Sequence, residues 1–127
     1  MRQWVVLAMM LAGTGSAMAA PPTIGETHFF DDPVFRGTVF CDTLEAVTAI
    51  ATAPEPDDIY AAYYMTTNDI GEPICMAISP DALVKAVTPL GVMRKGDENY
   101  DAWAIETDIN GTVVYALYLE HRKEIVA

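Results

Sequence analysis

Residues 100–119 read YDAWAIETDINGTVVYALYL, and this stretch decides the fold. Trp103, Ile105, Thr107 and Ile109 alternate with Ala104, Glu106 and Asp108. That period of two is the mark of a strand with one buried face. Asn110-Gly111 follows, the pair favoured in a two-residue type I′ turn because both positions take positive φ. Thr112–Leu119 is apolar on both faces, which predicts a central, well-buried strand. With Ile109 facing Thr112, the register sets Trp103 opposite Tyr118 as a cross-strand aromatic pair.

Outward from this hairpin the signals alternate. Val34–Cys41 (VFRGTVFC) is rich in β-formers and reads as a first strand, with Gly37 at a bulge. Asp42 then offers an N-cap, and Glu45 three residues on completes a capping box. Leu44, Val47, Ile50 and Ala51 recur at helical spacing. Ala53-Pro54-Glu55-Pro56 stops this helix and Asp57 opens a second, with Ile59, Ala62, Tyr63 and Thr66 as its buried stripe. Residues 68–73 (NDIGEP) end it with turn chemistry. Ile74–Ile78 reads as a short buried strand. Ala82–Arg94 is broken by Pro89 and Gly91; its valines favour strand, with one helical turn after Pro80 as the alternative. The expected fold is α+β: a small, bent antiparallel sheet, with an SH3-like barrel as its closed form, and a two-helix insertion between strands 1 and 2.

The N-terminal residues belong to export. Arg2 is followed by an apolar run, WVVLAMML at 4–11, and Ala17-Met18-Ala19 gives the small-x-small pattern of a signal-peptidase site. That run is too short to span a bilayer, which takes about 20 residues. The organisation expected is a signal peptide at 1–19, an extended leader at 20–33, a single α+β domain at 34–120 and a polar tail at 121–127. No membrane anchor is expected after cleavage, and the destination is a bacterial periplasm or the extracellular space.

Composition narrows the partners. The chain has 7 Lys and Arg against 18 Asp and Glu. Removing residues 1–19 takes away Arg2 and no acid, which deepens the net charge from −11 to −12. Such a surface repels nucleic acid and anionic lipid. It suits a basic extracytoplasmic protein, a basic secreted enzyme such as a lysozyme being one electrostatic match. The two cysteines, Cys41 and Cys75, make an even count in an exported chain and read as a disulfide. Their spacing is not that of a C-x-x-C redox pair.

The run Val39-Phe40-Cys41-Asp42-Thr43-Leu44-Glu45, with Asn68 and then Pro73-Ile74-Cys75, resembles a group of small exported proteins of proteobacteria with a V-x-C-D-T-x-E start and a later cysteine. In that group the second cysteine is commonly followed by Gly, where Met76 stands here. The resemblance implies an exported, disulfide-clipped domain and implies no reaction.

The catalytic inventory is thin. Beyond residue 19 the only serine is Ser79, and the only histidines are His28 and His121. They sit on segments poorly suited to a positioned triad. No Gly-rich phosphate loop is present, and no cofactor is expected. Asp97, Asn99 and Asp101, with Asp108 at the twelfth position, form a partial calcium loop. Ala102 stands where that loop needs Gly, and Asp108 is shorter than the usual Glu. His28 with Asp31 and Asp32 reads as a solvated leader. Tyr60, Tyr64 and Tyr100 exceed what a small core hides and are candidate contact aromatics. The function expected is non-enzymatic: a binding, interaction or envelope protein. The alternative is a small carboxylate-dependent hydrolase of envelope glycans, which requires two carboxyl groups facing one pocket, one with a raised pKa.

Overall fold

A computed structural model describes residues 20–32 and 34–122; residues 1–19, where a signal peptide is expected, Pro33 and residues 123–127 lie outside the described residues. The elements in order are β1 (Thr27–Phe29), β2 (Thr38–Cys41), α1 (Leu44–Thr52), α2 (Pro56–Met65), β3 (Cys75–Ile78), β4 (Asp81–Leu83), β5 (Ala86–Lys95), β6 (Glu98–Ile109) and β7 (Thr112–His121). The fold is α+β. Five strands form an antiparallel sheet in the order β3-β2-β7-β6-β5, and β1 and β4 form a separate two-stranded ribbon.

The β6–β7 hairpin is the spine of the sheet. Ile109 faces Thr112 and Trp103 faces Tyr118, with ring centroids 5.8 Å apart. Asn110 and Gly111 both take positive φ, 52° and 83°, as the type I′ turn requires. β7 lies at the centre because both its faces must be covered. Val39, Cys41, Met93, Ala102, Ala104, Leu117 and Leu119 pack against Ala46, Val47, Ile50 and Ala51 of α1. Phe40, Trp103, Ile105 and Ala116 of the opposite face pack against Phe30, Ala82 and Val84 beside the ribbon. The result is three layers: helix, sheet and ribbon.

The sheet is open among the described residues, so the SH3-like barrel does not form. β3 and β5 are its two ends. Pro89 and Gly91 flank a register shift in β5, where Gly91 takes φ 102°. Both residues are tolerated because β5 is an edge strand, where a missing amide leaves no ladder bond unmade. Residues 82–94 are divided between β4 and β5, with a break at Val84 and Lys85, and the helical turn after Pro80 is not adopted.

Three local readings are revised. The first strand begins at Thr38, not Val34. The Asp32 carboxylate accepts from the Val34 amide at 2.9 Å and the Asp32 carbonyl from the Gly37 amide at 3.1 Å. These bonds fold residues 34–37 into a turn, with Arg36 and Gly37 at φ 54° and 115°. The cap of α1 is Thr43, whose hydroxyl accepts from the Ala46 amide at 3.1 Å. Asp42 is drawn elsewhere: its carboxylate accepts from the Asn68 side chain at 2.6 Å. On α2, Pro56, Ile59, Tyr60 and Tyr63 face inward while Ala62 and Thr66 are exposed.

Cys41 and Cys75 are disulfide-bonded directly across the β2–β3 ladder. Asn68 reinforces the same junction. Its side-chain oxygen accepts from the amides of Ile70 and Glu72, at 3.1 and 3.0 Å, while its amide reaches Asp42. Asn68→Ala removes three bonds and frees the loop before Cys75. It is expected to lower stability by about 2 kcal/mol, measured by urea unfolding; a change within a few tenths would show that the loop is held by backbone bonds alone.

Candidate functional site

A cleft of about 470 Å³ opens where the ribbon meets the end of β7. Its walls come from three distant parts of the chain. β1 and the turn after it supply His28, Phe29, Asp31 and Asp32; β6 supplies Tyr100; β7 supplies Tyr118, Glu120 and His121. The ribbon delivers its wall because strand alternation turns His28 inward, opposite Ala82, while Phe29 points out. Phe30 anchors this segment in the core and meets the His28 ring edge-on, centroids 4.7 Å apart.

The polar groups of the cleft are organised. The Tyr118 hydroxyl donates to Glu120 Oε1 at 2.5 Å, and the Tyr118 ring meets His28 edge-on at 5.6 Å. Burial, then the bond to Glu120, pushes the Tyr118 phenol well above its ordinary value, so it stays protonated. His121 pairs with Glu98, and its ring stands edge-on to Tyr100 at 5.5 Å. Asp31 accepts from the Ser79 hydroxyl at 3.0 Å. Among the described residues no lysine or arginine lines the cleft.

Asp32 is the group under tension. Its Oδ2 is buried with no hydrogen-bond partner. Burial raises its pKa above 3.8, opposed by the Val34 amide; nearby Glu120 and Asp31 raise it further and Lys95 lowers it. A carboxyl with a raised folded pKa lends stability below its unfolded value and loses that contribution as pH climbs through the folded value. Asp32→Asn keeps an oxygen for the Val34 amide and removes the desolvated charge. It is expected to raise stability at neutral pH by about 1 kcal/mol, with the gain shrinking to nothing in acid. Thermal melts at stepped pH test this: equal Tm values for both proteins at neutral pH would refute it.

The residues singled out by sequence are scattered. Among the contact aromatics, Tyr60 packs on Phe35, with centroids 5.6 Å apart. Its hydroxyl meets the Ala77 backbone at the sheet's end strand. Tyr64 lies beside it and is half exposed, whereas Tyr100 belongs to the cleft. The partial calcium loop is not assembled. Asp97 is in the β5–β6 turn, and Asn99, Asp101 and Asp108 are spread along one strand. Asp101 and Asp108, seven residues apart on it, are separated by roughly 23 Å at a strand's rise. Asp101 is 3 % exposed, with Arg122 Nη1 at 3.6 Å, and Asp108 pairs with Lys85 at 3.1 Å. Among the described residues no three His, Cys, Asp or Glu side chains converge as metal ligands.

What sequence reading set aside is what the fold gathers. His28, Asp31 and Asp32 are walls of the cleft rather than a solvated leader, and Glu120 joins them. The local signal for Asp32 is slight: an acid two residues after the Phe29-Phe30 pair, just before a proline. Glu120 gave none beyond its place at the end of an apolar strand. Among the described residues no helix is long and apolar enough to cross a membrane. The chain matches no protein-family model, no curated protein and no solved structure.

Proposed function

We propose that the chain is an exported, non-enzymatic binding domain whose cleft receives a basic extracytoplasmic protein. The observation that carries this reading is the cleft's lining: three carboxylates and, among the described residues, no lysine or arginine. The net charge of −11 over the whole chain extends the same field outward and would speed encounter with a basic partner. Asp32 adds to the case, because a carboxylate with one buried, unbonded oxygen works against stability, a local cost that proteins tolerate at functional sites. A signal at 1–19 and the Cys41–Cys75 disulfide agree with an oxidising compartment. The test is retention of basic proteins from envelope extract on immobilised protein at low and physiological salt. Specific capture at physiological salt supports the reading, and none at either salt ends it.

A second reading rests on the same residues. Asp32, held towards its protonated form, shares the cleft with Glu120, the arrangement a carboxylate-dependent glycan hydrolase would use. Burial of Asp32 Oδ2 speaks against direct proton transfer to a substrate oxygen. Release of reducing ends from envelope glycans, abolished in Glu120→Gln, would favour hydrolysis; no release by the wild type removes it.

A further inference from the structure

From the cleft's geometry we infer that the group it receives is a guanidinium, the side chain of one arginine presented by the partner, stacked against Tyr100 and Tyr118 and paired with Glu120 and Asp31. This rests on the binding reading above and names the chemistry of its contact.

Four features favour guanidinium. The acceptors are spread around the cleft rather than focused on one point: Asp31 comes from the turn after β1, Glu120 from β7. A planar fork with five donors can satisfy separated carboxylates at once, whereas an ammonium acts as a point charge. The walls are rings, and guanidinium stacks on aromatic faces while giving up a weaker hydration shell than ammonium. About 470 Å³ exceeds one side chain, leaving room for the neighbouring backbone of a protein ligand. Finally, Asp31 and Glu120 both push Asp32 towards its neutral form, so the carboxylates of the cleft repel one another until a cation enters.

The charged and titratable groups around Asp32 are Asp31, Glu120, Lys95, Tyr100 and Tyr118, with His28 and His121 also on the cleft wall. Lys95 is already engaged. It bonds the Val34 carbonyl and Asp57, both at 3.0 Å, and lies over the Phe35 ring. Its charge is felt at Asp32 but it does not line the cleft, so Asp31 and Glu120 remain open to a visiting cation.

The experiment is a titration of isotope-labelled protein with three capped tripeptides, Gly-Arg-Gly, Gly-Lys-Gly and Gly-Gln-Gly, followed by amide chemical shifts at low ionic strength. The Arg peptide is expected to move the amides of His28, Asp32, Tyr118 and Glu120. It should bind at least about tenfold more tightly than the Gln peptide, a difference of about 1.4 kcal/mol, and more tightly than the Lys peptide. Glu120→Gln and Asp31→Asn, which keep an oxygen for Tyr118 and Ser79 respectively, should each weaken it about fivefold while leaving the melting temperature within a few degrees. A merely structural role would move the melting temperature instead. No movement of cleft amides, equal response to Arg and Gln, or a Lys peptide that binds as tightly as the Arg peptide overturns the inference. A basic protein still captured by Glu120→Gln with wild-type affinity also overturns it, while leaving the binding reading in place. Failure of the wild type to capture any basic protein removes both.

Discussion

Replacing Cys41 and Cys75 together by alanine is expected to lower stability by about 4 kcal/mol and the melting temperature by about 20 °C. The bridge closes a loop of 34 residues that holds both helices and the Asn68 turn. Without it the unfolded chain regains the freedom of that loop, while the folded chain keeps every other contact. The disulfide is fully buried, so it resists mild reductant in the native state and is broken once the protein opens. Melting with and without strong reductant, beside the double variant, measures the effect. Agreement between the reduced wild type and the variant is expected; a loss below about 1 kcal/mol would show that the β2–β3 ladder and the Asp42–Asn68 bond hold the junction unaided.

The second large effect is expected at Phe30, where alanine should cost about 4 kcal/mol. Phe30 is 1 % exposed and meets Phe40 edge-on at 5.5 Å, closing the sheet face opposite α1. Its amide donates to the Pro80 carbonyl at 3.0 Å, which fixes the ribbon over that face. Removing the ring leaves a cavity between Phe40, Ala82 and Val84 that backbone collapse cannot fill. Urea unfolding measures the loss. A change of a few tenths of a kcal/mol would mean that residues 27–30 are an ornament on a self-sufficient sheet. The same variant should blur the cleft, because His28 stands two residues away on the wall that Phe30 anchors.

These two sites differ in how far sequence reveals them, and the difference is physical. Cys41 and Cys75 announce themselves by residue type, because an even count without C-x-x-C spacing reads as a disulfide. The β6–β7 hairpin announces itself too, because Asn110-Gly111 and the alternation around Trp103 are local signals that act on adjacent residues. The α+β class, both helices and the strand character of 86–95 follow from signals of the same kind. Phe30 is different. Three residues of strand carry almost no periodicity, and Thr27–Phe29 acquires its shape from Asp81–Leu83, more than fifty positions away. Barrel closure failed as a prediction because it depends on what lies at the sheet's ends. A proline at position 89 and the Tyr60 hydroxyl beside Ala77 are long-range facts of that kind. Asp42 was misassigned as a cap because the choice between Asp42 and Thr43 is settled by Asn68, which no local window contains. The cleft was illegible as a unit, since its carboxylates come from both ends of the domain; only the separate acids were visible.

The pairing of β2 with β7 has a consequence for how the molecule is born. Phe40 sits opposite Ala116, and Cys41 opposite Tyr115, so the middle of the sheet joins residues some 75 positions apart. A chain emerging N-terminus first cannot build that seam until its last strand has arrived. Residues 27–41 can pair first with residues 75–83, while the inner edge of β2 waits for β7, the last strand to be made. That order of arrival leaves the five-stranded sheet incomplete until the whole chain is available. It also leaves Cys41 accessible until Cys75 follows, which gives an oxidising compartment time to make the bond before the sheet shuts over it.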